Sequence, residues 1–170
     1  TLYVHFDQPL SEEELTEYRG YVARRAQQEP LADILGEKAF MKHSFKVNPA
    51  VLVPRPETEL LVESVAKAAA GAGAASLLDL GTGSGAIIVS LLELLPQAAG
   101  TAVDISAAAL AVAGENAEAI GVSSRLTLVE SDLFAGLPAG QTFDIIVSNP
   151  PYIRAADIAG LAADVQREPR

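Results

Sequence analysis

The sequence contains no cysteine and no tryptophan, and only two histidines, His5 and His43, among 170 residues. The missing thiols exclude disulfides, thiolate zinc sites and cysteine nucleophiles. They allow a reducing cytoplasm, with an organelle matrix left open. Two histidines are too few for a histidine-based metal centre, so no metal is expected. Aromatic residues make up 5% of the chain while hydrophobic residues reach 49%, so the core must be built mainly from Ala, Leu, Ile and Val. No apolar run approaches the length of a membrane span, and no signal-peptide pattern precedes the first helical stretch. Positive charge is scarce as well: the formal net charge is −10. Neutralising phosphates requires a basic surface, so stable nucleic-acid binding is not expected. Between Ala68 and Ile153 the only cation is Arg125, whereas Arg19, Arg24, Arg25, Lys38, Lys42, Lys46 and Arg55 fall in the first third. A charged partner would therefore meet the N-terminal part.

The length suits one domain, or a core with a small appendage. Ser11 and Glu14 form a capping-box pattern, with Leu10 placed to staple onto Leu15, and Leu15, Tyr18 and Val22 share one face of the helix that follows. A helical turn from Leu31 is stopped by Gly36. Phe40, Phe45, Val47, Val51 and Val53 then alternate with polar or turn residues around Asn48-Pro49, which predicts a β-hairpin. Pro56 opens a further helix carrying Leu60, Leu61, Val65 and Ala68 at helical spacing, with Glu57 and Glu59 in its first turn. Past the linker Gly71-Ala72-Gly73-Ala74, strands over 76–80, 101–103, 125–129 and 143–147 are interleaved with helices over 86–95 and 106–120. That alternation predicts an α/β fold with a parallel sheet.

Two motifs carry chemistry. Phe143-Asp144-Ile145-Ile146-Val147-Ser148 is an apolar run, read as a buried strand, that stops at Asn149-Pro150-Pro151-Tyr152. Two prolines forbid helix and further ladder pairing, leaving a rigid loop at a strand's C-terminal end, where open parallel sheets bind ligands. The Asn149 amide oxygen and the Pro150 carbonyl are two acceptors side by side, suited to a substrate –NH2 group. The second motif is Asp79-Leu80-Gly81-Thr82-Gly83-Ser84-Gly85-Ala86, a glycine loop between strand and helix. Gly81-x-Gly83-x-x-Ala86, with Asp104 about 20 residues on, satisfies a dinucleotide fingerprint. Against that reading, the Asp79 carboxylate would repel a pyrophosphate yet could meet a cationic amino group, directly or through water. Gly85 also makes a Gly-x-Gly-x-Gly rhythm suited to a bulkier, non-phosphate ligand. Asp104 and Ile105 end the next strand, offering a carboxylate for ribose hydroxyls and an apolar side for a base. Asp132 and Leu133 follow the third strand, where an exocyclic amino group could be held.

These residues resemble the class I S-adenosylmethionine-dependent methyltransferases. Asn-Pro-Pro-Tyr alone is shared by enzymes that methylate amino groups of adenine, guanine or glutamine. The segment from Phe45 to Glu63, which contains Pro54-Arg55-Pro56-Glu57-Thr58-Glu59, is similar to the HemK/PrmC family of peptide chain release factor glutamine methyltransferases. Glu29 to Gly36, Asp104-Ile105-Ser106 and Ile146 to Ile153 extend the resemblance over nearly the whole chain. It implies a Rossmann-like methyltransferase sheet preceded by a short helical segment and a β-hairpin. Residues 1–38 would be a partial N-terminal substrate-recognition domain, 39–54 a hairpin connector, and 55–170 the cofactor-binding core. It further implies that Asp79, Gly81, Thr82, Gly83, Ser84 and Gly85 cradle the methionine part of S-adenosylmethionine. Asp104 and Ile105 would take the ribose and one side of the base, Asp132 and Leu133 the adenine, and Asn149, Pro150, Pro151 and Tyr152 the glutamine amide, with Asn149 also beside the cofactor. The expected partners are class 1 release factors, methylated at the glutamine of their Gly-Gly-Gln motif.

Three departures accompany the resemblance. Asp33 replaces a common aromatic, Leu133 stands where some members have tryptophan, and the chain ends at Glu168-Pro169-Arg170 where the family continues. With a start at Thr1 rather than Met, the expectation is a chain trimmed at both ends, lacking the last strands of its sheet. Strand 143–147 would then be an exposed edge, inviting self-association. The competing expectations are a nucleic-acid amino methyltransferase and a cofactor-binding fragment without turnover.

Overall fold

The computed structural model describes residues 9–71, 73, 75–150 and 160. Helix α1 (Glu12–Ala26) begins where its capping chemistry places it. Ser11 Oγ accepts the Glu14 N–H at 3.2 Å, and Glu14 Oε2 accepts the Ser11 N–H at 2.8 Å. No residue of α1 is buried, and Tyr18 and Val22, expected on an apolar face, stand open to solvent. What ties α1 to α2 (Leu31–Leu35) is Arg24, whose guanidinium pairs with Glu29 and donates to the Asp33 and Ile34 carbonyls at 3.2 Å each. Gly36 ends α2 in the left-handed region, at φ +75°.

The hairpin pairs β1 (Glu37–Phe40) with β2 (His43–Lys46) and turns at Met41-Lys42, earlier than the region of Asn48-Pro49. Phe40 and Phe45 explain the register: both are buried and meet edge to face, ring centroids 5.8 Å apart. Asn48 forms a local turn of its own, its Oδ1 accepting the Ala50 N–H at 2.9 Å. That turn delivers Val47 and Val51 against Ala109 and Val112.

Helix α3 (Glu57–Ala69) begins after Pro56, as expected, but buries Val62 and Ala69 while Leu60 is 66% exposed. Its apolar stripe thus runs through Leu61, Val62, Val65 and Ala66, and Leu60 points away. The main sheet comprises β3 (Ser76–Leu80), β4 (Ala99–Asp104), β5 (Leu126–Glu130) and β6 (Ile145–Ser148), all parallel, in the order β5-β4-β3-β6. Helices α4 (Ala86–Leu94) and α5 (Ala107–Ile120) are the crossovers after β3 and β4.

The sheet has two apolar faces because alternate residues of a strand point in opposite directions. Leu77, Ala102 and Val147 join Val62 of α3, Ile88, Leu91 and Leu92 of α4, Ala117 of α5 and the hairpin phenylalanines in the main core. Each such buried Leu or Ile contributes about 1.5–3 kcal/mol. Leu78, Leu80 and Val103 form a smaller cluster on the other face with Val129, Leu137 and Phe143. Of the run expected to be a fully buried strand, only Val147 is buried, and Ile146 is 52% exposed. The reason is position: β6 has β3 on one side and, among the described residues, no strand on the other.

The lone cation of the middle region has a structural duty. Arg125 donates to the carbonyls of Leu92, Leu95 and Ala98 at 2.5–3.1 Å, completing the C-terminal end of α4. No helix among the described residues is long and apolar enough to cross a membrane.

Candidate functional site

The order β5-β4-β3-β6 contains a reversal: the chain steps outward from β3 through β4 to β5, then returns to β6 on the other side of β3. A crevice for ligands opens outside the strand ends at such a switch point. In register, Leu80 pairs with Val103 and with Ser148, and Asp104 pairs with Glu130. Across the C-terminal edge of the sheet the sequence motifs therefore line up as Asn149, Gly81, Asp104 and Asp132. Residues scattered over more than fifty positions thus meet along one edge, on strands about 4.8 Å apart.

The glycine loop is closed upon itself. Gly81 and Thr82 N–H both donate to the Val103 carbonyl, at 2.8 and 3.0 Å, and Gly85 N–H donates to the Thr82 carbonyl at 2.9 Å. Gly83 N–H donates to Asp104 Oδ2 at 2.9 Å, while Asp104 Oδ1 accepts the Ser106 N–H at 3.0 Å. A phosphate cradle needs free amides. Here the amides of residues 81, 82, 83 and 85 are committed to protein acceptors, which removes the basis for a dinucleotide reading.

The backbone shape of the loop depends on glycine. Gly83 and Gly85 adopt φ +55° and +77°; a Cβ at Gly83 would meet open space, whereas one at Gly85 would lie 3.0 Å from Ala113 Cβ. The loop is thus open above and tightly seated on α5 below. Asn116 of α5 does the seating: its Nδ2 donates to the Ser84 and Lys46 carbonyls at 2.8 and 3.0 Å, and its Oδ1 accepts the Lys46 N–H at 2.8 Å. This buried clamp joins the hairpin to the loop, and nothing in the local sequence around Asn116 announced it.

Beneath the loop lies Asp79, wholly buried. Its Oδ2 accepts the Thr82 hydroxyl at 2.7 Å, and its Oδ1 has no hydrogen-bond partner. Burial pushes its carboxyl up from the ordinary 3.8 to about 7; the Thr82 hydroxyl opposes the rise and the nearby Asp104 charge adds to it. A buried carboxyl only half ionised near pH 7 lies under an open loop with a second carboxylate at Asp104, a setting in which a cationic ligand is favoured over an anionic one.

Apolar surface lies where a base would rest. Ile105 is 67% exposed at the end of β4, and Leu133 and Phe134 are 57% and 54% exposed beyond β5. Leu133 sits in the left-handed region at φ +49°, which costs a side chain about 1 kcal/mol or more. Ser131 holds that turn, accepting the Gly136 N–H at 2.6 Å and donating to the Leu133 carbonyl at 3.1 Å. Asp132 is exposed beside it, accepting the Ala135 N–H through its carbonyl at 3.0 Å.

At the other end of the crevice, Ser148 Oγ donates to the Leu80 carbonyl at 2.8 Å, tying the end of β6 to the end of β3. Asn149 Nδ2 donates to Thr58 Oγ1 at 3.2 Å. Thr58 was legible only as part of Pro-Arg-Pro-Glu-Thr-Glu, without a role. Pro150 is exposed, and Pro151 and Tyr152 lie outside the described residues. No cluster of three or more metal-ligating side chains occurs among the described residues.

Comparison with known proteins agrees with this geometry. The family described as methyltransferase small domain matches residues 56–164, and that described as PrmC N-terminal domain matches residues 1–36. The chain is 49% identical over 170 residues to a release factor glutamine methyltransferase of Geobacter sulfurreducens, and 46% identical over 169 residues to that of Bordetella pertussis. Each alignment covers 99% of this chain, which spans 58% and 62% of the lengths of those two relatives. Among solved structures, the ribosomal protein L11 methylase of Lactobacillus delbrueckii subsp. bulgaricus is 28% identical with a TM-score of 0.51, covering 61% of this chain and 51% of its own. A SAM-dependent methyltransferase of Agrobacterium tumefaciens shares the fold, with a TM-score of 0.57 at 22% identity, covering 68% of this chain and 39% of its own.

Proposed function

This chain belongs to the methyltransferase small domain family, and from that premise we propose that it binds S-adenosylmethionine and methylates a glutamine side chain. The acceptor is the glutamine of the Gly-Gly-Gln motif in class 1 peptide chain release factors, a reading supported by the two curated relatives named for that activity. The observation that carries the proposal is one of placement. A glycine loop backed by carboxylates at Asp79 and Asp104, its amides already spent, lies on the strand beside the one that ends at Asn149.

In this reading residues 1–38 contribute to release-factor recognition, 39–54 connect, and 55–170 form the cofactor-binding core. Gly81 to Gly85 and Asp79 take the methionine part, Asp104 the ribose, and Ile105, Asp132 and Leu133 the adenine. S-adenosylmethionine, when bound, supplies a methyl group already activated by its sulfonium. The chain's task is placement, because an amide nitrogen is a poor nucleophile with its lone pair delocalised into the carbonyl. Asn149 Oδ1 and the Pro150 carbonyl accept the two amide N–H bonds and direct the lone pair; such orientation can be worth up to ~7–11 kcal/mol. Tyr152 is assigned the planar face of the substrate amide. The protein acts in the cytoplasm, makes no stable complex with nucleic acid, and presents β6 as a sheet edge on which a further strand or a second copy can pair.

The test is calorimetric titration with S-adenosylmethionine, followed by mass spectrometry of a release factor incubated with protein and cofactor. The expected result is binding, and one added methyl on the Gly-Gly-Gln glutamine. A methyl group found instead on adenine or guanine of added DNA or RNA, or binding without any transfer, would overturn the proposal.

A further inference from the structure

Thr58 is the second residue of α3, 91 positions before the asparagine it touches. The contact joins the two motifs that stood out in the sequence: Pro-Arg-Pro-Glu-Thr-Glu and the Asn-Pro-Pro strand end. A primary amide has two unlike ends, and Asn149 can serve an incoming amide only through its oxygen. Turned over, it would oppose its own N–H bonds to those of the substrate. Something must therefore hold the nitrogen end. In this structure Thr58 Oγ1 takes it, at 3.2 Å, and the same rotation leaves Oδ1 free of protein donors among the described residues.

The support under Thr58 is firm. The neighbouring Glu59 accepts the Met41 N–H through Oε1 at 2.8 Å, which locks the first turn of α3 to the tip of the hairpin. We propose that Thr58 is a positioning residue: by accepting the Nδ2–H bond its hydroxyl anchors the nitrogen end of the Asn149 amide, which leaves Oδ1 to face the acceptor nitrogen. Thr58 itself touches neither substrate nor cofactor in this account. The inference rests on the glutamine methyltransferase reading, and its test separates the two.

Three variants, with Asn149→Ala as the reference, decide the matter. Thr58→Val removes the hydroxyl at constant shape, Thr58→Ser keeps it, and Thr58→Val combined with Asn149→Ala reports whether the two act as one unit. Thr58→Val is expected to lower kcat for release-factor methylation by roughly 10-fold, the order of one lost hydrogen bond, with KM, cofactor affinity and melting temperature little changed. Thr58→Ser is expected to recover most of that loss, and the double variant to be no worse than Asn149→Ala alone. The independent readout is the Asn149 side-chain NH2 signal in ¹⁵N-labelled protein, assigned by its disappearance in Asn149→Ala. It should move in Thr58→Val and stay in place in Thr58→Ser. An Asn149 signal indifferent to Thr58→Val, or a serine variant as impaired as valine, would overturn the proposal. If the wild-type protein methylates no glutamine, the functional reading falls by itself, and the NMR signal alone decides whether Thr58 holds the amide.

Discussion

The glycine loop after β3 and the Asn149 segment after β6 stand at the ends of neighbouring strands, yet they are held in different ways. The loop follows a strand paired on both sides, and four of its amides, the buried Asp79–Thr82 pair and the Asn116 clamp lock it in place. Asn149 follows a strand paired, among the described residues, on one side only, and its side chain rests on a single bond to Thr58. The half proposed to hold the cofactor is thus determined by the sheet itself. The acceptor half is determined by a segment far away in sequence, and a proposed partner completes it.

If the halves are separable, their variants should fail separately. Asn149→Ala should lower kcat/KM for glutamine methylation by roughly 10²–10³-fold, the scale seen when one preorganised catalytic hydrogen-bonding group is removed. Its affinity for S-adenosylmethionine should match wild type by calorimetry, and equal losses in both would break the comparison. Asn116→Ala strands the Lys46 N–H, the Lys46 carbonyl and the Ser84 carbonyl, so urea unfolding should show a loss of about 2–3 kcal/mol. A neutral result would mean that the loop does not depend on its clamp. Leu133→Gly should have the smallest effect. Relief of the left-handed strain at φ +49° returns about 1 kcal/mol in urea unfolding, while loss of the exposed side chain is expected to weaken cofactor binding a few-fold by calorimetry.

Much of this was readable beforehand where local chemistry decides. The Ser11 and Glu14 box, the strand over 76–80 and the glycine loop all formed where the pattern placed them. Reading failed where tertiary partners decide. Asn48-Pro49 looked like the hairpin turn, but the Phe40 and Phe45 contact set a register that turns at Met41-Lys42, with Phe40 opposite His43. Leu60 and Ile146 looked buried because the sequence states hydrophobicity and periodicity, not which side of a helix meets a sheet or which strand lies at an edge. Thr58 and Asn116 were invisible as functional residues for the same reason, since their partners lie 91 and up to 70 positions away.

In the proposed reading the glycine loop is built for a cation. A carboxyl whose folded value lies above its unfolded one binds its proton more tightly in the fold, so Asp79's contribution to stability is present below about 4 and is lost as pH rises to about 7. A cationic ligand above it favours the ionised form instead, so binding should expel that proton. The direct measurement is titration of S-adenosylmethionine from about pH 5 to about pH 8, with two buffers of different ionisation enthalpy at about pH 6 to count protons, repeated with Asp79→Asn. The account predicts release of close to one proton in wild type, affinity falling toward ~10-fold per pH unit below 7, and no release with weaker binding in Asp79→Asn. Affinity independent of pH from about 5 to 8, or tighter binding of NAD than of S-adenosylmethionine, would contradict it.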